Sequence, residues 1–126
     1  MTEGEILALP PGNELNIRVV EEVMGYKHVV DAFFGDIQID DQGIWTTLVD
    51  YSEDESKIPE ILQRLEQRFL TRIDIECFKG SWQADLNIDG DGVNYYYPDF
   101  NAFSLPEAIC KAALLTAQAE KCAQPV

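Results

Sequence analysis

The sequence predicts an α+β domain in which an antiparallel β-sheet of three or more strands carries helices packed on its faces. Three observations lead there. Apolar residues recur at helical spacing in three separate stretches, and between the second and third of these they alternate with polar residues in runs bounded by Gly-rich turns. No repeat, low-complexity tract or linker interrupts the chain, and 126 residues suffice to bury a core without metal or disulfide support. One domain spanning residues 1–126 is expected.

The elements follow in order. Thr2 and Glu5 have the spacing of a capping box, opening a short helical turn through Ile6 and Leu7 that Pro10-Pro11-Gly12 ends. From Asn13, a residue suited to an N-cap, Leu15, Val19, Val20, Val23 and Met24 recur on one helix face until Gly25 supplies a C′ stop. Between Tyr26 and Tyr51, Val29-Val30, Phe33-Phe34, the alternating Ile37 and Ile39, and Ile44 to Val49 read as short strands around turns at Gly35 and Asp41-Gln42-Gly43. Ser52, Asp54 or Ser56 can cap the next helix, whose apolar stripe is Ile58, Ile61, Leu62, Leu65 and Phe69, with Glu60, Arg64 and Arg68 on the opposite side.

Ile73, Ile75 and Cys77 then alternate with polar neighbours, Lys79-Gly80-Ser81 turns, and Trp82, Ala84, Leu86 and Ile88 resume the period of two. After Asp89-Gly90-Asp91-Gly92, Val93 to Tyr97 gives a third strand before Pro98. Ser104-Leu105-Pro106-Glu107 reads as N-cap, first-turn proline and capping-box glutamate, launching a helix to about Lys121 with Leu105, Ala108, Ile109, Ala112, Leu115 and Thr116 as its inner stripe.

Charge narrows the function. Twenty-three acidic residues against nine basic ones give a formal charge of −14, a field that repels duplex nucleic acid and anionic membranes. A small anionic ligand would need a local pocket of cations and backbone N–H groups. The apolar stretches, such as Ala112 to Ala117, fall short of the ~20 residues that cross a bilayer. The opening Met1-Thr2-Glu3-Gly4-Glu5 lacks the basic and apolar regions of a secretory signal, so a cytoplasmic location is expected. Cys77, Cys110 and Cys122 form no CxxC pair and leave an odd thiol, which argues against a disulfide framework and for buried, hydrophobic use of Cys77 and Cys110.

Catalytic and metal-binding patterns fall away in turn. Asp85-Leu86-Asn87-Ile88-Asp89-Gly90 matches the start of an EF-hand loop, but the twelfth position is Tyr96 instead of a bidentate Glu, the eighth is Gly92, and the flanks alternate like strands. His28 is the lone histidine and reads as a solvated residue just beyond a helix end; one His with scattered Cys cannot close a zinc site. The carboxylates Asp36, Asp40, Asp41 and Asp50, and Glu53, Asp54 and Glu55, read as solvated surface of an acidic chain, and no Gly-rich phosphate loop is present. No catalytic residue, metal or cofactor is therefore expected, and the chain reads as a binding protein, not an enzyme. Trp82, Tyr95, Tyr96, Tyr97, Phe100 and Phe103 gather on neighbouring strands and the segment after them, where a ring can stack a base or anchor an interface.

Several segments together resemble the phage ABA-sandwich domain family: Glu5-Ile6-Leu7-Ala8-Leu9-Pro10 with Gly12, Glu14 and Leu15; Val23-Met24-Gly25-Tyr26-Lys27; Tyr51-Ser52-Glu53-Asp54; and Pro106-Glu107-Ala108-Ile109-Cys110-Lys111-Ala112-Ala113-Leu114-Leu115. That family includes phage Thoeris anti-defence proteins, which act as sponges that hold a cyclic ADP-ribose-type immune signal, and in some cases cyclic oligonucleotides, without cleaving it. The resemblance implies a homo-oligomer, a dimer or multiple of dimers, that sequesters a small anionic nucleotide signal. It places Lys111 against phosphate and Trp82 and Asn94 against base and ribose; Tyr96, which alternation sets on the sheet face opposite Tyr95 and Tyr97, is a further candidate ligand-binding ring. Two positions depart from the pattern, since Glu107 stands where such sponges carry an additional Arg and Lys111 replaces Arg. Read without the resemblance, Glu107 and Lys111 have the spacing of a helix-surface pair worth ~0.2–0.5 kcal/mol. The alternative function is an acidic protein-binding or assembly module of phage origin with no small-molecule ligand.

Overall fold

The computed structural model describes residues 2–69, 71–78, 81–88, 94–96, 102 and 104–123, with side chains described in 2–68, 102 and 104–118. Helix α1 (Glu3–Ala8) opens on the expected capping box: Glu5 N donates to Thr2 Oγ1 at 3.2 Å and Thr2 N donates to Glu5 Oε1 at 3.3 Å. Helix α2 (Asn13–Arg18) runs on as a π-helix over Val19–Met24. Gly12, at φ 140°, takes the N-cap position expected of Asn13, which is the first helical residue. All five apolar residues of the predicted face, Leu15, Val19, Val20, Val23 and Met24, are buried.

The π-helix ends in a built cap. Gly25 turns left-handed at φ 72°, and Tyr26 N returns to Val20 O at 2.9 Å. The exposed carbonyls are met from helix α3 (Ile58–Phe69), where Arg68 Nη1 donates to Val23 O at 2.7 Å and Arg64 Nε to Met24 O at 3.0 Å. Arg64 also pairs with Asp41 at 2.7 Å and stands over the Tyr26 ring. The arginines expected on the solvated side of α3 therefore fasten it to α2. In the apolar stripe, Ile61 and Leu65 are buried, whereas Leu62, about 100° further round the helix, is exposed. Asp54 caps the 3₁₀ turn Glu55–Lys57 that precedes α3, and the hydrogen bonds it accepts from Ser56 hold its carboxyl below the usual range.

Two antiparallel sheets form, each in sequential order. The first contains β1 (Lys27–Asp31), β2 (Gly35–Ile39) and β3 (Trp45–Thr47); the second contains β4 (Thr71–Phe78), β5 (Ser81–Ile88) and β6 (Asn94–Tyr96). The second sheet agrees with the three expected strands. Val93, Tyr97, Phe100, Phe103, Lys79-Gly80 and the turn Asp89 to Gly92 lie outside the described residues.

Helix α4 (Leu105–Ala123) is the centre of the molecule. It packs against α1, α2 with its π-helical extension, α3, β4 and β5, and every residue from Pro106 to Ala117 is buried. The expected inner stripe is therefore part of a helix enclosed on all sides, for which its alanines leave the room. Cys110 is buried there as expected, and burial pushes its thiol up.

Segment 48–52 ties these layers together through buried amides. Asn16 Oδ1 accepts from Ser52 N at 2.8 Å while its Nδ2 donates to Asp50, and Gln38 Oε1 accepts from Val49 N at 3.0 Å. Gln38 Nε2 donates to the hydroxyl of Tyr51, a fully buried ring whose hydroxyl is pushed up to about 12 by burial.

Candidate binding surface

Lys111 projects from α4, where Ser104 begins the helix by accepting from Ala108 N through its carbonyl and from Glu107 N through its hydroxyl. One turn separates Glu107 from Lys111, so the two side chains meet. Lys111 Nζ donates to Glu107 Oε2 at 2.6 Å and to Leu7 O, at the end of α1, at 2.9 Å. Both residues are only 3% exposed, so this is a buried ion pair and not the surface pair expected from the spacing. Glu107 and a helix-end carbonyl occupy the ammonium group where the resemblance puts phosphate.

The other three expected site residues lie in the second sheet. Asn94 pairs with Asn87 and Tyr96 with Asp85, whereas Trp82 pairs with Cys77. Cross-strand partners share a face, so Asn94 and Tyr96 fall on the face of Asn87 and Asp85, and Trp82, in step with Ala84 and Leu86, falls on the other. The sheet brings Asn94 and Tyr96 together and sets Trp82 apart from both.

Two candidate groups, His28 and Asp40, have structural partners. His28 does follow a helix end, that of the π-helix at Met24, but it is not a solvated residue: it lies in β1 with Nε2 2.7 Å from Asp36 Oδ1 on β2 and its side chain is largely enclosed. Asp40 Oδ1 accepts from Gln42 N at 2.9 Å and Ile44 N at 3.0 Å, locking the turn in which Gly43 adopts φ 79°. Asp85 to Ile88, the front of the EF-hand-like stretch, is strand β5. Among the described residues no group of three or more His, Cys, Asp or Glu could hold a metal ion.

The unexpected feature is the first sheet. Phe33 is 94% exposed, Val30 72%, Phe34 58%, Ile44 56% and Trp45 48%, a concentration of large apolar groups on a chain of charge −14. These rings are held in place. Asp31 Oδ2 accepts from Phe33 N and Phe34 N, both at 2.8 Å, fixing the turn between β1 and β2 so that both rings stand outward. Phe34 lies against Trp45 with ring centroids 5.0 Å apart and against Phe33 at 6.3 Å. The register puts Ile37 and Ile39 on the outer face with Trp45, while Gln38 turns inward to Tyr51. Between them opens a recess of about 330 Å³ lined by Asp31, Phe34, Ile37, Ile39, Gly43 and Trp45. The alternation of Ile37 and Ile39 was visible in the sequence; that Ile37 is buried while Phe34 and Trp45, which line the same recess, stay exposed was not.

Helices and antiparallel sheet layered around one buried helix make this a sandwich of the α+β class. The Phage ABA sandwich domain family model matches residues 18–114, and the chain belongs to that family. The crystal structure of a phage protein from Bacillus cereus ATCC 14579 is similar in fold, with a TM-score of 0.60 at 20% sequence identity, over 88% of this chain and 90% of that one. Nothing among the curated proteins matches the chain. No helix among the described residues is long and apolar enough to cross a membrane.

Proposed function

We propose that the chain is a non-catalytic binding protein of phage origin, acting in the bacterial cytoplasm, that captures a protein partner on the outer face of its first sheet. One observation carries this reading: Phe33, Phe34, Ile44 and Trp45 are displayed to solvent by turns that Asp31 and Asp40 pin. Exposed rings on a fixed frame bind at little conformational cost, since few torsions remain to be ordered. Folding alone gives no reason to leave them uncovered, because each would stabilise the core if turned inward.

A photo-reactive phenylalanine analogue at Phe33, introduced in a bacterial host carrying the phage, tests it, with the same analogue at exposed Glu21 as control. A protein adduct formed from position 33 and absent from position 21 is expected. Equal labelling from both, or no protein adduct, would overturn the reading.

A second reading rests on the resemblance to signal sponges: sequestration of a cyclic ADP-ribose-type or cyclic nucleotide signal between copies of the chain. Asn94 and Tyr96 would share in it on one sheet face, joined by Trp82 only from another copy. Calorimetry with cyclic ADP-ribose isomers and cyclic dinucleotides tests it: saturable heat, with the nucleotide recovered intact, supports it, and absence of heat at high micromolar ligand removes it.

A further inference from the structure

We infer that the outer face of the first sheet receives a basic amphipathic segment of a partner protein, an aliphatic or aromatic anchor flanked by Lys or Arg, with the anchor seated between Phe34 and Trp45. The inference rests on the protein-capture reading and adds the partner's chemistry. The recess is about 330 Å³, at the small end of the ~300–1,000 Å³ of ligand pockets, and its floor is Ile37 and Ile39. That is room for an anchoring side chain. Its apolar walls select an apolar group, and the charge around them selects what flanks it.

Residues 27–50 carry five aspartates against Lys27 as the single Lys or Arg. Asp36 turns with Gln38 to the inner face against His28, Asp50 accepts from Asn16, and Lys27, cross-strand from Ile39, shares the outer face, where Asp31 lines the recess. Arg64 answers Asp41 from outside the sheet. Asp31 and Asp40 each use one carboxylate oxygen to lock a turn, and Asp31 also lines the recess with Phe34 and Trp45. A second copy of this chain would set those carboxylates against their own like, and an anionic ligand would meet the same field. A cationic segment gains from it over a screening length of ~8 Å at physiological salt.

Selection from a random peptide library on the immobilised full chain tests this, with the Trp45→Ser and Phe34→Ser chains as counter-targets and sedimentation of the free chain alongside. Enriched peptides are expected to combine a large apolar residue with Lys or Arg, to bind either variant about tenfold or more weakly, and to weaken as salt rises. An unchanged unfolding midpoint in either variant separates a lost contact from a lost fold. Enriched peptides without basic residues that still need Trp45 would overturn the partner class and leave the capture reading standing. Dimerisation through Trp45 with no peptide enriched would do the same, making a second copy the occupant. Peptides indifferent to both variants, or no enrichment on a monomeric chain, would overturn the inference and the capture reading together.

Discussion

Helix α4 and the first sheet invert the usual placement of polarity. In α4 a lysine and a glutamate lie inside the protein, their charges answered by each other and by the Leu7 carbonyl. In the first sheet large apolar rings lie outside, on turns locked by aspartates that the chain spends on shape. Charge inside and grease outside both cost stability, yet only the second leaves something for a partner to gain. An ion pair already closed within the fold offers little to an anion, because capturing one would mean first breaking a contact in a medium of low dielectric. An uncovered ring gives up only water.

The largest effect expected from this contrast is on stability, and it lies in α4. Lys111→Ala should cost about 3–5 kcal/mol by removing the cation that answers the buried Glu107 carboxylate, read as a fall in the urea midpoint. The paired replacement Glu107→Leu with Lys111→Met should recover most of that loss, since it removes both charges at similar volume. If Lys111→Ala were neutral, the pair would not be buried in solution and the ammonium group would again be available to phosphate.

Gly25→Ala comes next. A Cβ there would stand 2.7 Å from Arg68 Nη1 on a backbone at φ 72°, so the substitution both strains the turn and displaces the guanidinium that caps the π-helix. A loss of about 1–3 kcal/mol is expected, and an unchanged midpoint would mean that Arg68 does not close that helix end.

Tyr51→Phe should cost about 1 kcal/mol or more, since it strands the buried Gln38 amide donor. It also carries a pH signature. The folded-state value of the Tyr51 hydroxyl lies at about 12, above its ordinary 10.0, so the native state holds that proton longer than the unfolded chain does. The corresponding stability is complete below pH 10 and is lost as pH rises toward 12, with the Cys110 thiol pulling in the same direction from its own ordinary value upward. Alkaline unfolding followed by circular dichroism should be less steep in the Phe variant over that window. An identical slope would contradict the burial of the hydroxyl.

The smallest effects belong to the first sheet. Phe34→Ser and Trp45→Ser should each move stability by no more than about 0.5 kcal/mol, as exposed positions do, while removing partner binding. A loss of several kcal/mol would make those rings part of the core.

What could be read beforehand divides along the same line. The capping box of Thr2 and Glu5, the five core residues of α2 and the alternation through β4 and β5 are local patterns, and the chain folds as they direct. The Glu107–Lys111 pair was not legible, because a spacing of four looks identical on a solvated helix and on an enclosed one. Burial came from α1 arriving across the fold to place Leu7 O against the ammonium group. Likewise Ile37 and Ile39 announced a strand with an apolar face, but nothing local says whether a helix will cover that face. The aromatic emphasis on Trp82 and Tyr96 followed composition along the chain, whereas the exposed rings are short-range neighbours brought together by pairing of β2 with β3. His28 reads as a solvated residue just past a helix end, and only the pairing of β1 with β2 carries Asp36 to it.

Resonance-by-resonance mapping of the full chain during titration with an enriched peptide, or with a cyclic ADP-ribose isomer should one bind, is the most direct arbiter between the two regions. The Trp45 indole N–H and the amides of Phe34, Ile37 and Ile39 are expected to move together while those of α4 stay in place. Saturable shifts confined to α4, β5 and β6, with the Trp45 indole unmoved, would contradict binding at the first sheet.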